Sequence, residues 1–229
     1  MSDPGKICLQ GWTPGQLNRP KFNWVKNLSK KISSDIAQIL NMDICAAFAL
    51  FWNLTLQKIP PEIIQDFEKF LLSTDTPRMQ YDSTIPSFTL KLQHHHHTFY
   101  QQKFAPPSGQ TSYNYCRYMH TETNGTRYMV LWYTHRNFSK KRDSVCNGGH
   151  FFFGDYGVRV QNFKDTAISW EPRKAHGTSL YVKKYPFEQR GMSIGISNRL
   201  ATVWKKLKLE GQPMQNIDEV ENYDEEIEE

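Results

Sequence analysis

The chain has 229 residues, of which 38% are hydrophobic and 14% aromatic, so it can bury a substantial core and global disorder is excluded. Its first twelve residues contain no apolar run of the signal-peptide kind, and the most apolar segment, residues 44–56, is too short to cross a bilayer. Four widely scattered cysteines indicate a reducing compartment, with cytoplasm or nucleus expected, and their spacing excludes a paired-cysteine zinc site.

The formal net charge of +5 is unevenly distributed along the chain. Residues 218–229 carry eight acidic side chains and no Lys or Arg, which leaves 28 basic against 15 acidic residues, or about +13, in the rest of the chain. A basic body attracts polyanions such as nucleic acid, although an ordinary solvated surface would give the same count. The acidic tail is expected to be disordered, either as a solubilising segment or as a cover for a basic groove.

Two helices are predicted in the first third. Ser33 and Ser34 precede Asp35 as an N-cap cluster, and Pro61 begins a second amphipathic helix that ends near Thr74. The apolar positions of the first helix recur at helical spacing and are Ile36, Ile39, Leu40, Ile44, Phe48, Phe51 and Trp52. Neither helix carries recognisable chemistry, so we expect both to support a sheet as a helical preface spanning residues 1–77.

The period changes after Ser87. Short segments rich in aromatic and β-branched residues follow one another between turns, at 87–92, 113–119, 127–134, 150–153, 156–161, 166–170, 178–182 and 192–197. Asn124-Gly125 is a strong hairpin signal, and one closing helix is predicted after Asn198. Many short strands with frequent turns indicate a sandwich or jelly roll over residues 78–210, followed by the acidic tail at 211–229.

Several histidines are candidates for chemistry. The tract His94 to His97 is expected to be an exposed strand end or loop, with a metal site as the less favoured alternative, because only alternate residues of a strand share a face. His120 and His150 have no companions in the pattern and are expected to be structural. His135 follows an apolar run at a predicted strand end, Asn137 lies two residues on, and His176 precedes Gly177 after a turn.

The order of these residues resembles the Fe(II)/2-oxoglutarate-dependent oxygenases, most closely the TET/JBP-like branch and its fungal relatives. The resemblance covers roughly residues 128–198. It is carried by His135-Arg136-Asn137, Gly148-Gly149-His150-Phe151, Asp155-Tyr156-Gly157, His176-Gly177 and Gln189-Arg190-Gly191-Met192-Ser193-Ile194. It implies an α+β fold, a double-stranded β-helix (jelly roll) with an N-terminal helical layer and a C-terminal helix.

The resemblance also implies a site. His135, Asn137 and His176 would hold Fe(II), leaving positions for 2-oxoglutarate and dioxygen. Arg190, fourteen residues after His176, would pair with the far carboxylate of 2-oxoglutarate, with Ser193 on the same strand. The expected reaction is hydroxylation of a C–H bond. If the likeness extends to the substrate, that bond belongs to a methyl group on a nucleic-acid base that has left the stack.

The sequence departs from the family pattern at position 137, where Asn replaces the usual Asp. An amide brings no negative charge and should hold Fe(II) more weakly. Asp143 or Asp155 could supply a substitute carboxylate, although Asp155 better fits a turn. Two other hypotheses therefore remain: a catalytically degenerate jelly-roll module that binds nucleic acid or a small anion, and a purely structural β-protein.

Overall fold

The computed structural model describes residues 5–26, 32–137, 148–181 and 188–211. The helices of these residues are α1 (Ser34–Lys58), α2 (Pro61–Thr74) and α3 (Asn198–Leu209). The strands are β1 (Lys6–Gly15), β2 (Pro20–Trp24), β3 (Ser87–Leu92), β4 (His95–Tyr100), β5 (Ser108–Tyr113), β6 (Met129–Asn137), β7 (Phe151–Phe153), β8 (Val158–Val160), β9 (Thr166–Trp170), β10 (His176–Thr178) and β11 (Glu188–Ile194). The chain is thus a mixed α+β protein, and the strand pairs in its described part are all antiparallel.

The helix boundaries follow the local capping chemistry. The hydroxyl of Ser33 accepts a hydrogen bond from the backbone N–H of Ile36 and so caps α1. Pro61 occupies the first turn of α2, where backbone N–H groups have no partner within the helix, so proline loses no hydrogen bond there. Asp75 ends that helix in the left-handed conformation, with its N–H bonded to the carbonyl of Leu71. The three predicted helices are therefore confirmed.

By length and composition alone, α1 could span a membrane. In the folded chain, however, its aromatic side chains Phe48, Phe51 and Trp52 are almost completely buried. They pack with α2, α3 and one face of a large sheet in the main hydrophobic core. The middle of α1 is therefore a core element, whereas Ile36, Ile39 and Leu40 near its start, which the helical spacing had placed on the same apolar face, are exposed.

The large sheet has six strands in the order β2-β1-β5-β11-β6-β9. Its first two strands come from the first 24 residues, where the sequence had indicated no strand. The N-terminal segment is therefore not only a helical layer, because β1 pairs along six residues with β5 in the middle of the chain. A three-stranded sheet, β10-β7-β8, and the hairpin β3-β4 complete the architecture.

The two faces of the large sheet serve different purposes, as β6 shows. Val130 and Trp132 belong to the core beneath the helices. The alternate residues Met129, Leu131 and Tyr133 belong to a second cluster on the opposite face. Because successive side chains of a strand point to opposite faces, the large sheet separates a helical core from a second compartment. Phe151 of the three-stranded sheet closes that compartment from the other side.

Gly109 lies where the large sheet meets α1 most tightly. It pairs with Gln10 of β1 and Ile194 of β11. A methyl group at this position would overlap the buried ring of Phe48 and lie 2.6 Å from the carbonyl oxygen of Ser193. Only glycine therefore allows the helix to approach the sheet this closely.

We expect Gly109→Ala to lower the free energy of unfolding by about 1–3 kcal/mol through overpacking. Adding Phe48→Leu should recover part of that loss, since the smaller side chain makes room for the methyl group. Urea denaturation of the two single variants and the double variant measures the coupling. An unfolding free energy for Gly109→Ala within about 0.5 kcal/mol of the natural chain would contradict the packing.

Candidate metal centre

The second compartment contains a cavity of about 200 Å³ between the large and the three-stranded sheets. The part of its lining that comes from the large sheet contains both polar side chains and apolar or aromatic ones. The lining residues of the large sheet are Ile7, Gln110, Ser112, Met129, Leu131, Tyr133, Trp170 and Ser193. The opposite wall comprises Tyr115, Arg117, His120, Glu122, Phe151, His176, Gly177 and Thr178.

One backbone pair positions the histidines of that wall. His120 and His176 form an antiparallel bridge with two hydrogen bonds, of 2.9 Å from the His120 N–H and 3.0 Å from the His176 N–H. Directly opposed residues of an antiparallel pair project to the same side, and the two imidazole centroids are 4.3 Å apart. Next to the bridge, the carbonyl of Arg117 accepts a hydrogen bond from the N–H of Thr178, and the N–H of Arg117 donates to the hydroxyl of Thr178; both bonds hold the two segments in register.

Glu122 is the third side chain of this group. It lies two residues after His120 and therefore on the same face of an extended segment, which its N–H bond to the carbonyl of Pro172 holds in place. Its carboxylate oxygen Oε1 is 3.1 Å from Nε2 of His120 and 3.4 Å from Nε2 of His176. The three ligand atoms lie within 4.8 Å of one another. Atoms that share one ion at about 2.1 Å each must lie within about 4.2 Å, and the two measured separations meet this limit.

The hydrogen bonds of the imidazoles fix which nitrogen faces the carboxylate. Nδ1 of His120 is 2.9 Å from the carbonyl oxygen of Tyr118, and Nδ1 of His176 is 2.9 Å from that of Lys174. A carbonyl can only accept, so each Nδ1 carries a proton. In a neutral ring Nε2 then presents a lone pair towards an anionic oxygen. This arrangement requires a proton or a metal cation between the groups, and outer hydrogen bonds of this kind orient metal-binding histidines.

The surroundings bury His176 and favour the charged form of the Glu122 carboxylate, whose side chain stays 37% exposed. The side chain of His176 is only 4% exposed, with the ring of Phe151 stacked on it at 6.0 Å and Trp170 at 5.6 Å. The hydrogen bond with His176 lowers the pKa of the Glu122 carboxyl, against the opposing effect of burial, and His120 adds to the lowering. Glu122 is therefore an ionised ligand candidate at neutral pH.

Of the residues that the sequence pattern proposed as ligands, the structure brings only His176 into this group. The side chain of His135 is 43% exposed, and its Nε2 lies 3.9 Å from a carboxylate oxygen of Glu188. In the sheet, His135 of β6 lies opposite Arg190 of β11. Asn137 is exposed at the end of β6, opposite Glu188. Neither residue lines the cavity. The predicted set of His135, Asn137 and His176 is thus not assembled around one point.

The predicted co-substrate residues are divided in the same way. Arg190 is 60% exposed, forms an ion pair with Glu188 at 2.5 Å and lies over the ring of Tyr113, outside the cavity. Ser193 does line the cavity, because it alternates with the core-facing Met192 and Ile194 on β11. The arginine among the residues that line the cavity is instead Arg117.

The remaining candidates take structural or peripheral positions. The side chain of Asp155 accepts a hydrogen bond from the N–H of Ala175, in agreement with a turn role, and Asp143 lies outside the described residues. His150 is buried and its Nδ1 accepts from the N–H of Asn162, so its structural assignment is supported. The histidine tract is exposed at the start of β4 and contributes to no group of three metal-ligand side chains within the described ranges.

His120 and Glu122 were the residues that sequence reasoning missed. They lie between β5 and β6 in a segment without regular strand pairing, so periodicity gave no reason to choose them. A signal was nevertheless present. His120-Thr121-Glu122 has the spacing of two ligands on one face of an extended chain, with the carboxylate that position 137 lacks.

No protein-family model matches the sequence, and no curated protein does either. Among solved structures, the chain is similar to NgTET1 in complex with 5mC DNA, with a TM-score of 0.50 and 11% sequence identity. The match covers 86% of this chain and 62% of the NgTET1 chain, so this chain spans less than two thirds of that protein. At this identity the likeness concerns the fold alone. The chain thus combines a TET-like fold with a two-histidine, one-carboxylate cluster of its own.

Proposed function

We propose that this protein is an Fe(II)/2-oxoglutarate-dependent dioxygenase whose iron ligands are His120, Glu122 and His176. The observation that carries the proposal is the convergence of these side chains on one wall of a cavity between two antiparallel sheets. The similarity to NgTET1 supports a double-stranded β-helix as the underlying architecture. Two imidazoles and one carboxylate that leave open coordination positions are the donor set of non-haem Fe(II) oxygenases.

The donor set fits an iron ion on its chemistry. Both Nε2 atoms face Glu122 while both Nδ1 atoms donate to carbonyls, so three donors are available without rearranging a proton on either ring. When bound there, Fe(II) would supply the activation of dioxygen and the binding of the 2-oxo acid. The protein's own contribution is orientation by the carbonyls of Tyr118 and Lys174 and exclusion of water by Phe151 and Trp170.

The same donor set also holds catalytic zinc in hydrolases, which makes a zinc enzyme a rival. The TET-like fold favours the oxygenase, and Arg117 lines the same cavity wall as the ligand cluster. An arginine binds a carboxylate through a planar, two-pronged bond, which suits the distal carboxylate of 2-oxoglutarate. Ser112 and Ser193 add hydroxyl groups to the same cavity. We therefore infer that Arg117 takes the anchoring role that the sequence pattern had given to Arg190.

The proposed substrate is a methyl group on a nucleic-acid base. The strongly basic body of the chain suits a polyanion, and NgTET1 was solved with 5mC DNA. Such a base must leave the stack to reach a site enclosed between two sheets. The alternative, a degenerate binding module, was considered because Asn137 lacks the carboxylate of the family's metal site. In the structure, Glu122 supplies a carboxylate beside the two histidines.

Metal binding provides the first test. We expect the natural chain to bind Mn(II), used as an oxygen-stable substitute for Fe(II), and expect His120→Ala or His176→Ala to weaken binding at least ~100-fold. Loss of a direct ligand should exceed the ~10- to 100-fold effect of changing an outer partner. Glu122→Gln, which keeps the shape and removes the charge, should weaken it similarly. Electron paramagnetic resonance of free Mn(II) gives the dissociation constants.

The matched controls are His135→Ala and Asn137→Asp, which change the residues of the sequence-based ligand set. Both should bind Mn(II) within about threefold of the natural chain, since their side chains are exposed on β6. A loss of binding in His135→Ala equal to that in His176→Ala would restore the sequence-based set. Absence of binding by the natural chain would overturn the metal proposal.

The co-substrate anchor is tested separately. In the presence of Mn(II), Arg117→Met should weaken 2-oxoglutarate binding at least ~10-fold, and Arg117→Lys should recover little, because an ammonium cannot form the planar two-pronged bond. Arg190→Met should leave the affinity unchanged, since that guanidinium is exposed and paired with Glu188. Isothermal titration calorimetry measures all four proteins. Equal losses in the Arg117 and Arg190 variants would contradict the assignment.

Turnover distinguishes the oxygenase from a binding module and from a zinc hydrolase. Anaerobically loaded Fe(II) protein should release CO₂ from 2-oxoglutarate when dioxygen is admitted, and replacement of Fe(II) by Zn(II) should abolish the release because zinc has no redox chemistry. A chain that binds metal and 2-oxoglutarate but releases no CO₂ with any methylated oligonucleotide would support the binding module.

A further inference from the structure

An aromatic ring lies exposed beside the metal cluster. The side chain of Tyr118 belongs to a residue that is 71% exposed, and its ring meets the ring of His120 nearly edge-on, with centroids 6.4 Å apart. The carbonyl of the same residue accepts the Nδ1 hydrogen bond of His120. The position of Tyr118 is therefore tied to the cluster through both its backbone and its side chain.

Two cationic side chains lie exposed on the segment that pairs with this one, on the Glu122 side of the His120–His176 bridge. Arg173 and Lys174 are exposed in the turn that leads into β10, and the carbonyl of Lys174 holds His176 as that of Tyr118 holds His120. The acidic residue of this turn, Glu171, is already paired with Arg127 at 2.9 Å. The segments that orient the two histidines thus expose one aromatic side chain, Tyr118, and two cationic side chains, Arg173 and Lys174, to solvent.

We propose that Tyr118 is a stacking surface for an unpaired nucleobase, and that Arg173 and Lys174 contact phosphates farther along the same strand. The proposal rests on the proposed function and narrows its substrate to single-stranded or extruded nucleotides. Aromatic side chains beside a basic surface bind single strands in this way, because every base has a π face and the cations neutralise the backbone. The Tyr118 ring lies next to the ring of His120, so a base stacked on it would lie beside the proposed metal cluster.

Charge complementarity selects a nucleic acid over a peptide as the occupant. A peptide partner for an exposed tyrosine would require an apolar pocket or acidic residues on the partner, whereas a nucleic acid supplies both a planar ring and anions in a regular chain. The basic body of the protein, with about 13 excess positive charges before residue 218, attracts the same ligand at longer range.

The test measures the binding of a fluorescein-labelled 20-nucleotide thymidine oligonucleotide by anisotropy, with inorganic polyphosphate as a competing anion that has no bases. Tyr118→Ala should weaken oligonucleotide binding about 5- to 100-fold, and Tyr118→Phe should retain it, since stacking needs the ring but not the hydroxyl. Polyphosphate binding should be unchanged in Tyr118→Ala. The double variant Arg173→Ala/Lys174→Ala should lose affinity for both ligands, and more so at low salt.

Tyr100→Ala is the matched control, because Tyr100 is also an exposed tyrosine, at 62%, but lies at the end of β4. It should bind the oligonucleotide like the natural chain. An unchanged affinity in Tyr118→Ala, an equal loss in Tyr100→Ala, or an equal loss of polyphosphate binding would each overturn the stacking role.

Mn(II) and 2-oxoglutarate binding by the natural chain separates this inference from the proposed function. If the natural chain binds Mn(II) and 2-oxoglutarate but not the oligonucleotide, the stacking proposal fails while the oxygenase proposal stands. If it binds the oligonucleotide through Tyr118 but no metal, the oxygenase proposal fails and the stacking surface remains.

Discussion

The backbone bridge between His120 and His176 is the constraint on which the candidate site depends. Its two hydrogen bonds join segments that are more than fifty residues apart and place two imidazoles on the same side. Glu122 reaches the same face only because its own N–H is held by Pro172, four residues before His176. Without this pairing, three polar side chains would have no reason to share one point, since each would be better hydrated alone.

The protein can contain a polar cavity without losing its stability because the large sheet keeps the hydrophobic core and the cavity on opposite faces. On one face the aromatic residues of α1 and α2 form a dry core with Val130, Ile194 and their neighbours. On the other face, the central strands carry the polar residues Gln110, Ser112 and Ser193, which line the cavity. A polar cavity on a sheet costs packing energy, and the helical core on the opposite face provides the compensating burial.

The sequence predicted the helices well and the site only in part, for physical reasons. Helix signals such as the Ser33 cap and Pro61 act locally, so they survive without tertiary information. Whether metal-ligand side chains come together, in contrast, depends on residues that are far apart in the sequence. His135 and Asn137 have suitable types and spacing, but whether a strand end faces the cavity depends on register, and the register irregularity between Arg190 and Gly191 opposite His135 leaves no sequence signal. Strand β1 was missed because it pairs with β5, about a hundred residues away, and β2 is held in the sheet only through β1.

The residues that the pattern did not identify are clustered in one stretch, from Tyr115 to Glu122, and this has a common cause. A regular strand would alternate apolar and polar residues, whereas this segment supplies an arginine, a histidine and a glutamate to a cavity wall and a tyrosine to solvent. Its backbone is held by single bridges and by the hydroxyl of Thr178 instead of a continuous ladder. The sequence predicted a strand at 113–119, whereas β5 ends at Tyr113 and the residues after it form no regular ladder. Local sequence rules therefore fail in the segment that supplies the candidate ligands His120 and Glu122.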